Sequence, residues 1–359
     1  MTIRNISIIA SILCLCLLSC RDDEIAPGPG SSNTGPQPQD NSWLIVEDEV
    51  FDGGPGKDGI PSVDNPQFVT NSEIGYMDSE DLVLAIDIDG DLRGYTHPIL
   101  DWHEIVNDRV GGKDLAITYC PLTGTGSAWN REIDGQVTTF GVSGLLYRNN
   151  LIPYDRATDS HWSQIRLDCV QGTLKTREAQ TYPLVELPWR TWKKMFPDGK
   201  VLSESTGFNR SYGRYPYGNY RNNEQLLFPV GKDDDRLPRK QRVLSVIIGG
   251  QSRVYTFDSF AGGIKVITDK FNGKELVVVG SQPDNFMIAY EMDNNLGALV
   301  FEPTDLKEGG IVMKDNTGSE WDIFGKAQSG PNAGKRLKKV DVCIGYWFSF
   351  GAFYNPQIF

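Results

Sequence analysis

VLAIDIDGDLRGYTHPILDWHEIVNDRVGGKDLAITYCPLTGTG, residues 83–126, is the stretch from which the fold can be read. It opens with two short apolar runs, 83–88 and 92–95, either side of Asp89-Gly90, a pair suited to the positive φ angles of a two-residue hairpin turn. The same pattern returns about 160 residues later. Val83-Leu84-Ala85-Ile86, Gly90 and Arg93-Gly94-Tyr95-Thr96 match Val243-Leu244-Ser245-Val246, Gly250 and Arg253-Val254-Tyr255-Thr256. Gly112-Lys113-Asp114-Leu115 matches Gly273-Lys274-Glu275-Leu276, and Asp155 with Trp162 answers Asp315 with Trp321. Repetition of this kind predicts a mainly β protein (β-rich α+β) made of two related β-rich repeats, 43–205 and 235–359, with few short helices.

Working outward, 126–133 and 137–142 read as a further strand pair around Asp134-Gly135. Helices are expected at 101–107 and at 187–196, where Pro188 suits the first turn and Pro197 ends the pattern. Between the repeats, 206–234 has no clear period but carries aromatic residues from Phe208 to Phe228. It is expected to be an ordered loop lying over one face. The aromatic tail, 346–354, reads as a buried final strand.

The N-terminus has a different composition. Arg4 precedes an apolar run, 6–18, too short to span a bilayer, and the run closes at Ser19-Cys20. Residues 1–19 are therefore expected to be an export signal. Cys20 resembles the acylated cysteine of a bacterial lipobox, which implies a lipid anchor in the outer membrane. Residues 20–42, rich in Pro, Gly, Ser and Gln after an acidic start, read as a flexible tether. The net charge is −12, and losing the leader removes Arg4 but no acid. So acidic a chain is a poor ligand for nucleic acid. With 39% apolar and 11% aromatic residues it can still bury a substantial core. Of the six cysteines, Cys120, Cys169 and Cys343 lie beyond the leader and lipobox. An odd number leaves at least one thiol unpaired, and a Cys169–Cys343 disulfide is one arrangement among several.

The chemistry-bearing residues gather in the opening stretch. His97, Asp101, His103 and Glu104 precede Cys120, which sits at a strand end before Pro121 and a small-residue loop. An imidazolium at His103 would lower the Cys120 pKa, with Asp101 or Glu104 orienting the ring. These four, Cys120, His103, Asp101 and Glu104, are the candidate catalytic residues. His97, His103 and Cys120 are also ligand types used by copper and zinc, so a transition metal is a candidate cofactor. Lys57, Asp58, Thr123, Ser143 and His161 are the candidate substrate-binding residues. Cys120 falls opposite Gly280 in the second repeat and His97 opposite Phe257. Scaffold residues recur while reactive ones do not, which assigns chemistry to the first repeat. Asp87-x-Asp89-Gly90-Asp91 lacks the bidentate Glu of an EF-hand and reads as a hairpin. The glycines at 53–56 lack the frame of a phosphate loop.

GGPGKDGIPSVDNPQF (53–68), DWHEIVND (101–108), TYCPLTGTG (118–126), FGVSGLLYRNN (140–150), YDRATDSHWSQ (154–164) and YWFSFGAFYNP (346–356) resemble domain-of-unknown-function family 3179, in order and from about residue 50 to the C-terminus. Many members carry Cys-Pro-Leu-Cys, and the resemblance hints at redox chemistry. Thr123 stands at the second cysteine here, which removes a dithiol. The expectation is an envelope lipoprotein with thiol- or metal-dependent redox activity at Cys120 and His103. The alternatives are a surface protein binding a glycan or envelope protein through the aromatic loop, and a Cys–His hydrolase or transferase.

Overall fold

The computed structural model describes residues 41–292 and 294–359. The expected leader, the expected acylation site at Cys20 and nearly all of the expected tether lie outside the described residues. The chain is mainly β. The α-helices among the described residues are three seven-residue pieces, α1 (His97–His103), α2 (Trp189–Met195) and α3 (Trp347–Phe353).

The opening stretch folds as a run of antiparallel neighbours. Leu82–Ile88 and Asp91–Thr96 pair in register around Asp89 (φ 53°) and Gly90 (φ 89°). Ile105–Val110 and Lys113–Cys120 pair around Gly111 and Gly112, also at positive φ. Thr125–Asn130 continues that sheet. Asp87 Oδ1 accepts the Gly90 N–H at 3.0 Å, so the acidic hairpin caps its own turn.

One pairing pattern serves both halves. In the first, Val185–Pro188, Leu82–Ile88, Asp91–Thr96 and Lys200–Leu202 are adjacent, the last strand parallel to its neighbour. In the second, Asp341–Tyr346, Arg242–Ile248, Gln251–Thr256 and Gln357–Ile358 repeat that order, again with a parallel last strand. The helix α2 follows Val185–Pro188 as α3 follows Asp341–Tyr346. Trp162 Nε1 donates to Asp155 at 3.2 Å and Trp321 Nε1 to Asp315 at 2.9 Å, each joining a turn to a buried indole. One apolar core runs through both halves: Val83, Val185, Leu187 and Trp192 pack with Val277, Phe286, Ile288 and Trp321, all essentially unexposed. Each such aliphatic side chain contributes about 1.5–3 kcal/mol through burial.

Three expectations are corrected. The helix lies at His97–His103 rather than 101–107, because Pro98 sits in the first turn and Glu104 turns left-handed (φ 57°, ψ −29°), releasing Ile105 into a strand. Around Asp134-Gly135 only Glu132–Ile133 and Gln136–Val137 pair. The longer flanking strands belong to different sheets, parted at a corner where Arg131 donates to the Leu115 and Asp108 carbonyls, both at 3.0 Å. The aromatic tail forms α3 rather than a strand. Its Trp347, Phe348 and Phe350 are fully buried, and the Trp347 indole donates to the Asp234 carbonyl at 2.7 Å.

Candidate functional site

The segment 206–234 has a single 3-10 turn, Tyr220–Asn222, and is a strap fastened by side chains to the stretch that holds Cys120. Tyr217 Oη donates to Glu104 Oε1 at 3.1 Å, Tyr220 Oη to the Leu122 carbonyl at 2.8 Å, and Tyr215 Oη to the Pro121 carbonyl at 3.4 Å. The Trp102 indole donates to the Arg214 carbonyl at 3.0 Å, and Asn149 exchanges two hydrogen bonds with the Phe228 backbone. These tyrosines turn inward, so the strap roofs the segment beneath it, while Phe208 stays 40% exposed.

Beneath it, Asp101, Glu104 and Cys120 are 3%, 6% and 1% exposed. Asp101 projects from the last turn of α1 and takes one Arg221 nitrogen on both carboxylate oxygens, each at 2.6 Å. Burial pushes Asp101 up to about 7 against the pull of that guanidinium. Glu104, in the left-handed position that ends the helix, accepts the Tyr119 N–H on its carbonyl at 2.7 Å, one residue from Cys120. Its carboxyl has a phenol for a partner and, among the described residues, no ion pair, and burial raises it to about 7. A buried, unpaired acid at a strained backbone position is the kind of group that functional sites retain.

Cys120 is not the thiolate expected from the sequence. Its Sγ donates to the Asn149 carbonyl at 3.4 Å, and burial, then the charge of Glu104, pushes the thiol up to about 11. His103 has other partners. Its Nδ1 lies 2.7 Å from the Pro61 carbonyl and so carries the proton, leaving Nε2 to accept from Tyr212 Oη at 2.8 Å. Burial lowers the His103 pKa, and Phe208 packs against the ring at 5.3 Å. A neutral, doubly bonded imidazole facing Pro61 and Tyr212 does not activate the thiol.

The metal set does not converge either. His97 packs on Tyr119, with ring centroids 4.1 Å apart. Its Nε2 is 3.1 Å from Glu186 Oε2, though poorly aligned for a hydrogen bond, and Glu186 is also paired with Arg242. Among the described residues, no group of three or more His, Cys, Asp or Glu is placed to hold a metal ion. The thiols of Cys120, Cys169 and Cys343 are all free, so the Cys169–Cys343 disulfide is absent. Cys343 sits opposite Ser245 in the second half, while Cys169 donates to the Gln171 carbonyl at 3.3 Å.

Of the expected substrate-binding residues, Thr123 lies with Cys120. Its Oγ1 is 2.8 Å from Thr125 Oγ1 and 3.0 Å from Asn150 Nδ2, in a buried network closed by Gln164. Ser143 is spent on the Ile152 carbonyl. Lys57, Asp58 and His161 gather elsewhere: Lys57 pairs with Asp159 over the Tyr154 ring, Asp58 with Arg156 at 2.9 Å, and His161 packs on Trp43. Sequence reasoning missed Tyr119, Glu186, Tyr217, Arg221, Arg242 and Tyr346. Glu186 alone carried a signal, a single acid inside the apolar Leu184-Val185-Glu186-Leu187. Arg221 and Tyr217 lay in the aperiodic segment, and Arg242 and Tyr346 are supplied by the second half, which sequence reasoning took as structural.

No curated protein and no solved structure matches the chain significantly. The family model described as protein of unknown function (DUF3179) matches residues 57–357 of the 359, and the chain belongs to that family.

Proposed function

We propose that this protein is an envelope lipoprotein whose first half holds an acid–base site, in which Glu104 moves a proton beside the Cys120 thiol under the 206–234 strap. The observation that carries this reading is the buried Glu104 carboxyl, which among the described residues has the Tyr217 phenol as its side-chain partner and whose charge acts on the Cys120 thiol. An acid poised near neutrality is best placed to give and take protons. Because the thiol stays protonated at that pH, any attack by Cys120 requires a base, and Glu104 is the acid whose charge acts on it. The geometry favours this over dithiol redox, since Thr123 replaces the second cysteine and His103 is occupied. The anchor is supported by the basic-then-apolar leader closing at Ser19-Cys20 and by the tether that follows. Loss of fatty-acid labelling in Cys20→Ser tests it, and unchanged labelling would refute it.

The site is tested by the pH profile of Cys120 alkylation in wild type and Glu104→Gln, with Cys169 and Cys343 replaced by Ala. The expected wild-type profile shows an inflection near pH 7 that the variant loses. Identical profiles would overturn the assignment.

A further inference from the structure

Arg221 occupies its place in the manner of a ligand. Its guanidinium lies 3.8 Å over the Tyr215 ring while one nitrogen bonds both oxygens of Asp101. Tyr119 and Tyr346, one from each half, lie close enough to feel its charge, and so does the half-buried Asp81. An acid beneath and an aromatic face against the guanidinium is the chemistry that holds an organic cation. Arg221 arrives on a segment with almost no regular structure, held by side-chain contacts, and its own side chain is 32% exposed where Asp101 is 3%. Lifting the strap would remove the cation and open the Asp101 carboxyl to solvent, where it ionises at neutral pH in an already acidic protein and attracts cations.

We infer that the Asp101 floor is a receptor for a guanidinium-bearing ligand and that Arg221 fills it as a built-in competitor, leaving when the strap opens. The inference rests on the acid–thiol pocket being the working site, and it names the class of ligand that pocket admits. A guanidinium suits the flat contact with Tyr215, whereas an ammonium satisfies only the grip on Asp101.

The test titrates methylguanidinium into the mature full-length protein by calorimetry. Arg221→Gln should bind it at least about tenfold more tightly than wild type, the factor by which a latch open a tenth of the time or less weakens apparent affinity. Arg221→Lys, which keeps an internal cation but loses the flat contact with Tyr215, should fall between wild type and Arg221→Gln. Adding Asp101→Asn to Arg221→Gln should abolish binding, and methylammonium should bind more weakly than methylguanidinium. A folded Arg221→Gln that binds no methylguanidinium, or binding that survives Asp101→Asn, would overturn the inference. Should Arg221→Gln not fold, wild type decides: methylguanidinium should speed chymotryptic cleavage at the strap tyrosines, and an unchanged rate would refute the latch. Glu104→Gln in the Arg221→Gln background should still bind, which separates failure of the acid–base reading from failure of the receptor.

Discussion

Replacing Glu104 with Gln should stabilise the protein, and only at high pH. The unfolded carboxyl titrates at 4.5 and the folded one at about 7. Below 4.5 both states carry the proton and the group is neutral to stability. As the pH rises from 4.5 to about 7 the unfolded chain ionises first, so stability falls, and above about 7 the loss is complete. A difference of about 2.5 units at 1.36 kcal/mol each is roughly 3 kcal/mol. Gln keeps the shape and an oxygen for the Tyr217 phenol but never ionises. Urea unfolding of Glu104→Gln should therefore match wild type at pH 4.5 and exceed it by roughly 3 kcal/mol at pH 8.5. An equal change at both pH values would refute the reasoning, as would destabilisation at pH 8.5. Retaining an acid that weakens the fold at neutral pH is expected where that acid has work to do.

Other consequences are open to direct measurement. Gly124→Ala should cost about 1–2 kcal/mol, because Gly124 has φ +64° and a Cβ there would meet the Tyr346 ring at 3.3 Å; an unchanged melting temperature would contradict this. Asp315→Ala should cost about 3 kcal/mol or more, since its buried carboxylate holds the Trp321 indole, the Asn332 amide and the Thr317 hydroxyl. Those bonds hold Asp315 below the usual carboxylate range, so its contribution should fade only at more acidic pH than that range, read from unfolding midpoints. A chromogenic disulfide reagent should find Cys120, Cys169 and Cys343 reactive after denaturation without reductant, and Cys120 should react far more slowly in the native protein at pH 7 than in the denatured one.

What the sequence disclosed follows from the range of the interactions involved. Asp89-Gly90, Gly111-Gly112 and Gly249-Gly250 all announce turns because positive φ is a local demand, and each sits at positive φ in the fold. The helix end at His103 was not legible, since Glu104 adopts a left-handed conformation that nothing in Asp101-Trp102-His103-Glu104 requires. At the site, Cys120 and Glu104 could be picked out as reactive types, but their protonation depends on burial beneath a strap whose pattern carries no period. Tyr346 reaches the pocket from a strand more than two hundred residues away, a contact that neither local propensity nor spacing reports. His103 misled for the same reason: its type suggested a base, while its partners, Pro61 and Tyr212, flank it at long range.

The acid–base site turns on the protonation of Glu104, and a carboxyl-detected NMR titration of the protein with labelled glutamate reads it directly, the resonance being assigned by its loss in Glu104→Gln. The midpoint is predicted at about 7. A midpoint near the ordinary glutamate value of 4.5 would mean a solvated carboxylate at neutral pH and would contradict the acid–base site.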